Sequence, residues 1–201
     1  MQPSRLIIGI TGASGAAYGV RVLQLLQNTD VETHLIVSKW GVRTLAEETG
    51  MTLEQVQRLA AFHYGSLDQA AAISSGSFVT DGMAICPCSV RTLGAIAHGF
   101  GDSLVHRAAD VILKERRKLV LVVRETPLSD IHLENMLKLS RMGAVILPPV
   151  PAFYKRPETL DDIVEDTAVR VLDQLGIHID SPRRWQSEPS AGVADPVMRR
   201  K

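Results

Sequence analysis

Hydrophobic residues in this chain fall in short unbroken runs, separated by longer stretches where apolar positions recur every three or four residues. The runs Leu6–Ile10, Thr33–Val37, Met83–Cys86, Leu119–Val123 and Ala144–Leu147 have the length and composition of strands buried on both faces. Between them, Ala16–Leu26, Arg43–Glu48 with Leu53–Ala61, Val90–His98, Leu104–Lys118 and Ser129–Arg141 carry the period of amphipathic helices. A last helix, Leu160–Leu175, closes the pattern. Strand and helix in alternation predict an α/β fold, a Rossmann-like three-layer sandwich: a parallel sheet with right-handed crossovers and helices on both faces. No internal repeat or second domain is visible, so residues 1–186 are expected to form one domain. The stretch Gly65–Gly82 is rich in Ala, Ser and Gly and is expected to be a loop reaching toward the carboxyl edge of the sheet. The tail 187–201 has no apolar period and is expected to be disordered.

In such a sheet, ligands collect outside the carboxyl ends of the strands. Those ends carry the chemistry here: Thr11–Gly15, Ser38, Cys88-Ser89, Arg124-Glu125 and Pro148–Tyr154. The first, Thr11-Gly12-Ala13-Ser14-Gly15-Ala16-Ala17, joins a strand to a helix through a tight glycine turn. Such a turn aims backbone N–H groups and the positive end of a helix at an anion, and it would set the Ser14 hydroxyl beside it. An ordinary βα turn has the same composition, and the turn alone does not separate the two. Cys88-Ser89-Val90-Arg91-Thr92 repeats the device at another strand end, where Ser89 also reads as a plain N-cap. A dinucleotide is disfavoured. The second strand ends Ile36-Val37-Ser38-Lys39 with no carboxylate for a ribose hydroxyl, and glycines at 12, 15 and 19 lack the GxGxxG spacing.

Composition narrows the partners. The 201 residues are 45% hydrophobic and 22% charged, with Lys+Arg and Asp+Glu equal at 22, as in a globular domain. Zero formal net charge and only 4% aromatic residues argue against a nucleic-acid partner. No apolar stretch reaches the ~18–20 residues of a membrane span, and Gly9 and Gly12 interrupt the only N-terminal apolar run, so a cytoplasmic protein is expected. Cys86 and Cys88 flank Pro87 and read as small buried residues, neither a disulfide nor a metal site. The six histidines are scattered. Asp161-Asp162-Ile163-Val164-Glu165-Asp166 resembles the Asp-rich motif of isoprenyl diphosphate enzymes, but it stands alone behind Thr159, where Thr-x-x-Asp is a helix capping box. No metal is expected.

The pieces GASGA (12–16), CPCSxxT (86–92), RAADVxLKERR (107–117), RETP (124–127), IHLENM (131–136), GAVILPPxPAFY (143–154) and RVLDQLGI (170–177) resemble the flavin prenyltransferase family, UbiX and its paralogues. The paralogues were formerly described as subunits of aromatic-acid decarboxylases. The similarity runs over about 5–186 and implies a flavoprotein that binds reduced FMN. It implies transfer of the dimethylallyl group of dimethylallyl monophosphate to N5 and C6 of the flavin, giving prenylated FMN for a UbiD-type decarboxylase. It further implies a homo-oligomer, commonly a dodecamer, with sites at subunit boundaries.

Carried over residue by residue, the resemblance gives FMN contacts at Gly12, Ala13, Ser14, Ser38, Ser89, Val90, Arg91, Thr92 and Arg124. It places Arg107, Lys114, Glu125, Tyr154 and Arg170 against the prenyl phosphate, with Ser14 and Glu125 as proton carriers. Glu48 matches a position that reaches into a neighbouring subunit's site, and Trp185 a tail position near the active site. Each residue also has a plainer reading. Arg107 and Lys114, seven apart with Asp110 between, would make a solvated salt-bridge face, and Tyr154 behind Pro148-Pro149-Val150-Pro151 could simply pack its ring. Some relatives carry a Trp in the loop that reads Asp68-Gln69-Ala70-Ala71-Ala72 here, which puts pocket shape and donor preference in question. Two rivals stand beside this function. One is an accessory subunit that binds FMN without alkylating it. The other is a flavin-dependent decarboxylase of cysteine peptides, for which His63 sits in a poor context.

Overall fold

The computed structural model describes residues 4–181. Six parallel strands form one sheet: β1 (Arg5–Ile10), β2 (Glu32–Val37), β3 (Phe62–Tyr64), β4 (Gly82–Cys88), β5 (Lys118–Val123) and β6 (Val145–Ile146), in the order β3-β2-β1-β4-β5-β6. Ile8 of β1 stands between Leu35 of β2 and Ala84 of β4, all fully buried or nearly so. Such residues cannot leave one face to water, so helices cover both. On one side α1 (Ala16–Leu26) and α7 (Leu160–Leu175) pack through Leu23, Leu26, Val171 and Leu172, with Leu45 of α2 (Lys39–Thr49) and Val56 of α3 (Leu53–Gln57) beside them. On the other, α4 (Val90–Ala97), α5 (Leu104–Lys114) and α6 (Asp130–Arg141) pack through Leu93, Ile112 and Leu139. Each fully buried Leu or Ile contributes ~1.5–3 kcal/mol. Cys86 belongs to the first core and Cys88 to the second, and both thiols are free; regular alternation would put positions two apart on one face, and the register shift between Ile85 and Cys88 is what parts them.

The chain departs from the hydrophobic pattern at three places. β3 has only three residues, two of them exposed, and pairs along one side of β2, so no apolar run announces it. Helix α2 begins at Lys39 and not Arg43, because Ser38 caps it. Helix α5 stops at Lys114, and Arg116 takes a left-handed turn (φ 57°) before β5 starts. The loop expected at the carboxyl edge also needs correction. It leaves that edge at Gly65 but must return to the amino edge to begin the parallel strand β4 at Gly82. Arg117 fixes its far end by donating to Gly76 O, Phe78 O and Thr80 Oγ1. Among the described residues no helix is long and apolar enough to cross a membrane.

Candidate active site at the carboxyl edge of the sheet

The order of strands reverses between β1 and β4, and the helices that follow them leave on opposite faces. This is where an open α/β sheet has its ligand crevice. Thr11, almost fully buried, closes the floor of that crevice. Its hydroxyl donates to Pro87 O at 2.8 Å and accepts from Ser89 N at 2.9 Å, while its own N–H donates to Pro87 O at 3.2 Å. Ser38 N donates to Ile10 O at 2.9 Å and Arg124 N to Cys88 O at 3.2 Å, so the ends of β1, β2, β4 and β5 are knitted together. Gly19 lets α1 lie directly on β4: a Cβ there would stand 2.2 Å from Cys86 O.

Three helices open at this crevice, and they are capped differently. Ser38 accepts from Gly41 N at the start of α2, and Ser89 accepts from Thr92 N at the start of α4. Helix α1 starts behind Gly15 (φ 105°) with no side-chain cap of its own. Its exposed donors are taken by a distant carboxylate: Glu48 Oε2 accepts from both Gly15 N and Ala16 N at 2.8 Å. A negative charge suits the positive end of a helix. Gly12 faces Trp40 so closely that a Cβ would meet the Trp40 Cβ at 2.3 Å, yet Trp40 is 59% exposed. Burial raises the Tyr18 phenol above its ordinary range, reinforced by Cys86 and Glu48 and opposed by Arg124. Burial also pushes the Cys88 thiol up to about 12, so it stays protonated at neutral pH.

Outside β5 the edge is looser. The proline-rich segment 147–157 and α7 enclose a groove of about 210 Å³, lined by Tyr154, Arg170, Thr167 and the ion pair of Lys155 with Asp166. Glu125 is half-buried, and its Oε1 accepts from Thr126 N at 3.0 Å.

A flavoprotein family model matches residues 1–172. A "Probable UbiX-like flavin prenyltransferase" of Bacillus subtilis is 56% identical over 181 residues, 90% of this chain and 89% of the relative. The crystal structure of a dodecameric FMN-dependent UbiX-like decarboxylase from Escherichia coli O157:H7 superposes with a TM-score of 0.89 at 58% identity, covering 90% of this chain and 99% of that one. The chain belongs to the UbiX-like flavin prenyltransferases of the flavoprotein family. A further member, AnUbiX crystallised with FMN and dimethylallyl pyrophosphate, matches with a TM-score of 0.87 at 49% identity over 88% of this chain and 94% of that one.

Of the residues that the resemblance to this family singles out, Gly12, Ala13, Ser14, Ser38, Ser89, Val90, Arg91, Thr92 and Arg124 all lie at the crevice edge of this chain. Tyr154 and Arg170 share the groove beyond it. Of the remainder, Glu125 follows Arg124 at the same edge and Glu48 reaches the start of α1 there, whereas Lys114 and Arg107 lie elsewhere. Glu48 does not point away from its own chain; it caps α1. Lys114 ends α5 just before β5 begins, so it stands at the amino edge, with its ammonium paired to Glu115 and beside Gly76. A six-residue strand such as β5 separates the two edges by about 20 Å. Arg107 lies on the exposed side of α5, donating to Ser74 O at 3.1 Å and Asp110 Oδ2 at 2.8 Å, with Gln69 and Phe100 along the same groove. Trp185 lies outside the described residues. His63 sits on the short strand β3, two strands from the crevice. Asp162 completes a capping box with Thr159, so the acidic run starts α7. Sequence reasoning included Thr11 in the first strand-end turn without giving it a role, and it passed over Tyr18 and Trp40. Trp40 lies two residues from Ser38, which it did single out, whereas no pattern signals Tyr18.

Proposed function

We propose that this chain joins the dimethylallyl group of dimethylallyl monophosphate to N5 and C6 of reduced FMN, making prenylated FMN for a UbiD-type decarboxylase. The observation that carries this reading is the crevice between β1 and β4, with two serine-capped helix starts and Arg124 around it. The donor set suits a flavin mononucleotide. Helix N-termini and an arginine match a phosphate, the exposed Trp40 ring matches a planar heterocycle, and no carboxylate ends β2 to claim a ribose. The FMN phosphate belongs at the starts of α2 and α4, by Ser38, Ser89, Arg91 and Thr92. It does not belong at α1, where Glu48 already fills the amides and would repel it.

Reduced FMN, once bound, supplies the two nucleophilic atoms. The chain supplies the rest. Gly12, Ala13 and Ser14 hold the ring edge. Ser14, Glu48 and Glu125 would carry protons around N5 and C6. Breaking the allylic C–O bond leaves negative charge on the departing phosphate, which Arg107, Lys114, Arg170 and Tyr154 neutralise. One such donor in a closed site typically contributes ~3–4 kcal/mol to the transition state. Because Lys114 stands at the amino edge of its own sheet, the lysine serving a given crevice comes from a neighbouring copy. The site is therefore shared, and the chain works as a homo-oligomer, a dodecamer like its E. coli relative. The outer side of α6, with Ile131, Leu133 and Leu137 exposed, offers apolar surface for assembly. The domain spans 1–186, and its place of work is the cytoplasm.

Anaerobic incubation with reduced FMN and dimethylallyl phosphate, read by mass spectrometry, should give a flavin heavier by one five-carbon unit. A parallel run with the diphosphate tests donor choice. Bound FMN of unchanged mass in both runs would replace this reading with the accessory subunit.

A further inference from the structure

The turn that carries Tyr154 is poorly anchored by its own sequence. Prolines at 148, 149, 151 and 157 remove backbone donors, and the segment contributes no ladder beyond β6. Its own main-chain bonds are Val150 N to Pro148 O at 2.8 Å and a 3-10 turn, Phe153–Lys155, closed by Lys155 N to Ala152 O and Arg156 N to Phe153 O, both at 3.0 Å. Arg156 leaves it in the left-handed region at φ 49°, which an L side chain rarely adopts. Burial does not hold the turn either, because Phe153 is 78% and Tyr154 63% exposed.

Lys155 ties the turn to α7. Lys155 Nζ donates to Asp166 Oδ1 at 3.0 Å, and both side chains are nearly buried, at 13% and 12% exposure. Asp166 lies four residues before Arg170 on α7, on the same stripe of the helix. The tether therefore fixes the residue next to Tyr154 one helical turn from Arg170, and all four side chains line the same groove. We infer that the Lys155–Asp166 pair is a positioning device that sets the spacing between Tyr154 and Arg170 and with it the grip on the phosphate end of the prenyl donor. Lys155 gives its charge to Asp166 and does not itself bind the anion. The pair touches neither flavin nor reacting carbon, so it governs donor capture and leaves flavin binding alone. This inference rests on the role proposed above for Tyr154 and Arg170.

The test uses Lys155→Met, Asp166→Asn and the reversed pair Lys155→Asp with Asp166→Lys, each as the full chain loaded with FMN. Both single variants should raise KM for dimethylallyl phosphate about tenfold or more and lower kcat with it, with FMN affinity near wild type. The reversed pair should recover most of the loss. Hydrogen exchange of amides between Val150 and Arg156 should quicken about tenfold in the single variants while the strands stay protected. If Asp166→Asn tightens donor binding while Lys155→Met weakens it, Lys155 is itself an anion ligand and the inference falls. Unchanged KM and exchange in both also overturn it. Should the single variants fail to fold, a folded reversed pair with wild-type KM supports the inference, and one with a high KM overturns it. If the wild type does not bind the donor, the proposed function is what fails, and the exchange rates still decide whether the pair orders the turn.

Discussion

The inner and outer halves of the carboxyl edge are built on different principles. Around β1 and β4, strand ends are joined to one another by buried main-chain bonds, with the Thr11 hydroxyl closing two of them. Beyond β5 the same edge consists of prolines, exposed aromatics and one ion pair. Buried, fully satisfied polar groups are rigid because opening them leaves donors and acceptors unpaired, whereas a segment held by a side-chain pair can shift at small cost. The inner half suits a ligand held in one fixed pose. The outer half suits a grip that must change as a group departs.

The largest break in this comparison should come from Thr11→Val. The shape is kept, but Ser89 N–H loses its acceptor in a buried place, at a cost of ~2–3 kcal/mol in urea denaturation, and FMN retention should fall with it. Ser89→Ala removes only the cap of α4 and should cost ~1 kcal/mol, with weaker FMN binding. Glu48→Gln keeps two acceptor contacts at α1 and loses the charge. It should cost ~0.5–1 kcal/mol while FMN affinity in equilibrium dialysis does not rise. A clear rise would place the flavin phosphate at α1. On the outer half, Tyr154→Phe should leave stability within ~0.5 kcal/mol and raise KM for the prenyl donor.

Acid provides a control away from both halves. His34 on β2 is buried between Tyr64 and Glu32, with its ring nitrogens 2.9 and 3.0 Å from them. Burial lowers its pKa below the ordinary 6.5, against the pull of Glu32. Between that lowered value and 6.5 the unfolded chain binds the extra proton, so stability is full above 6.5 and declines as the pH drops. His106 is lowered by burial too, so His34→Gln should reduce the slope of urea midpoint against pH in that window without abolishing it.

Much of this was legible in the residues. Runs such as Leu119–Val123 are apolar on both faces because both faces are covered, so the parallel sheet and its crossovers follow from pattern alone. The crevice edge was legible for the same reason: Gly12–Ser14, Ser38 and Ser89 follow strands, and the end of a parallel strand can only lie at one edge. β3 was not, being three residues on the rim. Side chains that travel were not legible either. Glu48 crosses from the last turn of α2 to the first of α1, and nothing in its neighbours fixes that direction. Lys114 was read by motif, and motif carries no information on which edge a helix end reaches.

That lysine has a genetic consequence. If each crevice borrows it from another copy, a lone polypeptide is never complete, and defects in two polypeptides can hide one another. Ser14→Ala and Lys114→Ala proteins, each inert alone, should complement when denatured, mixed in equal amounts and refolded, since roughly one crevice in four then draws both intact groups from different copies. No recovery from such a mixture would return the lysine to its own chain.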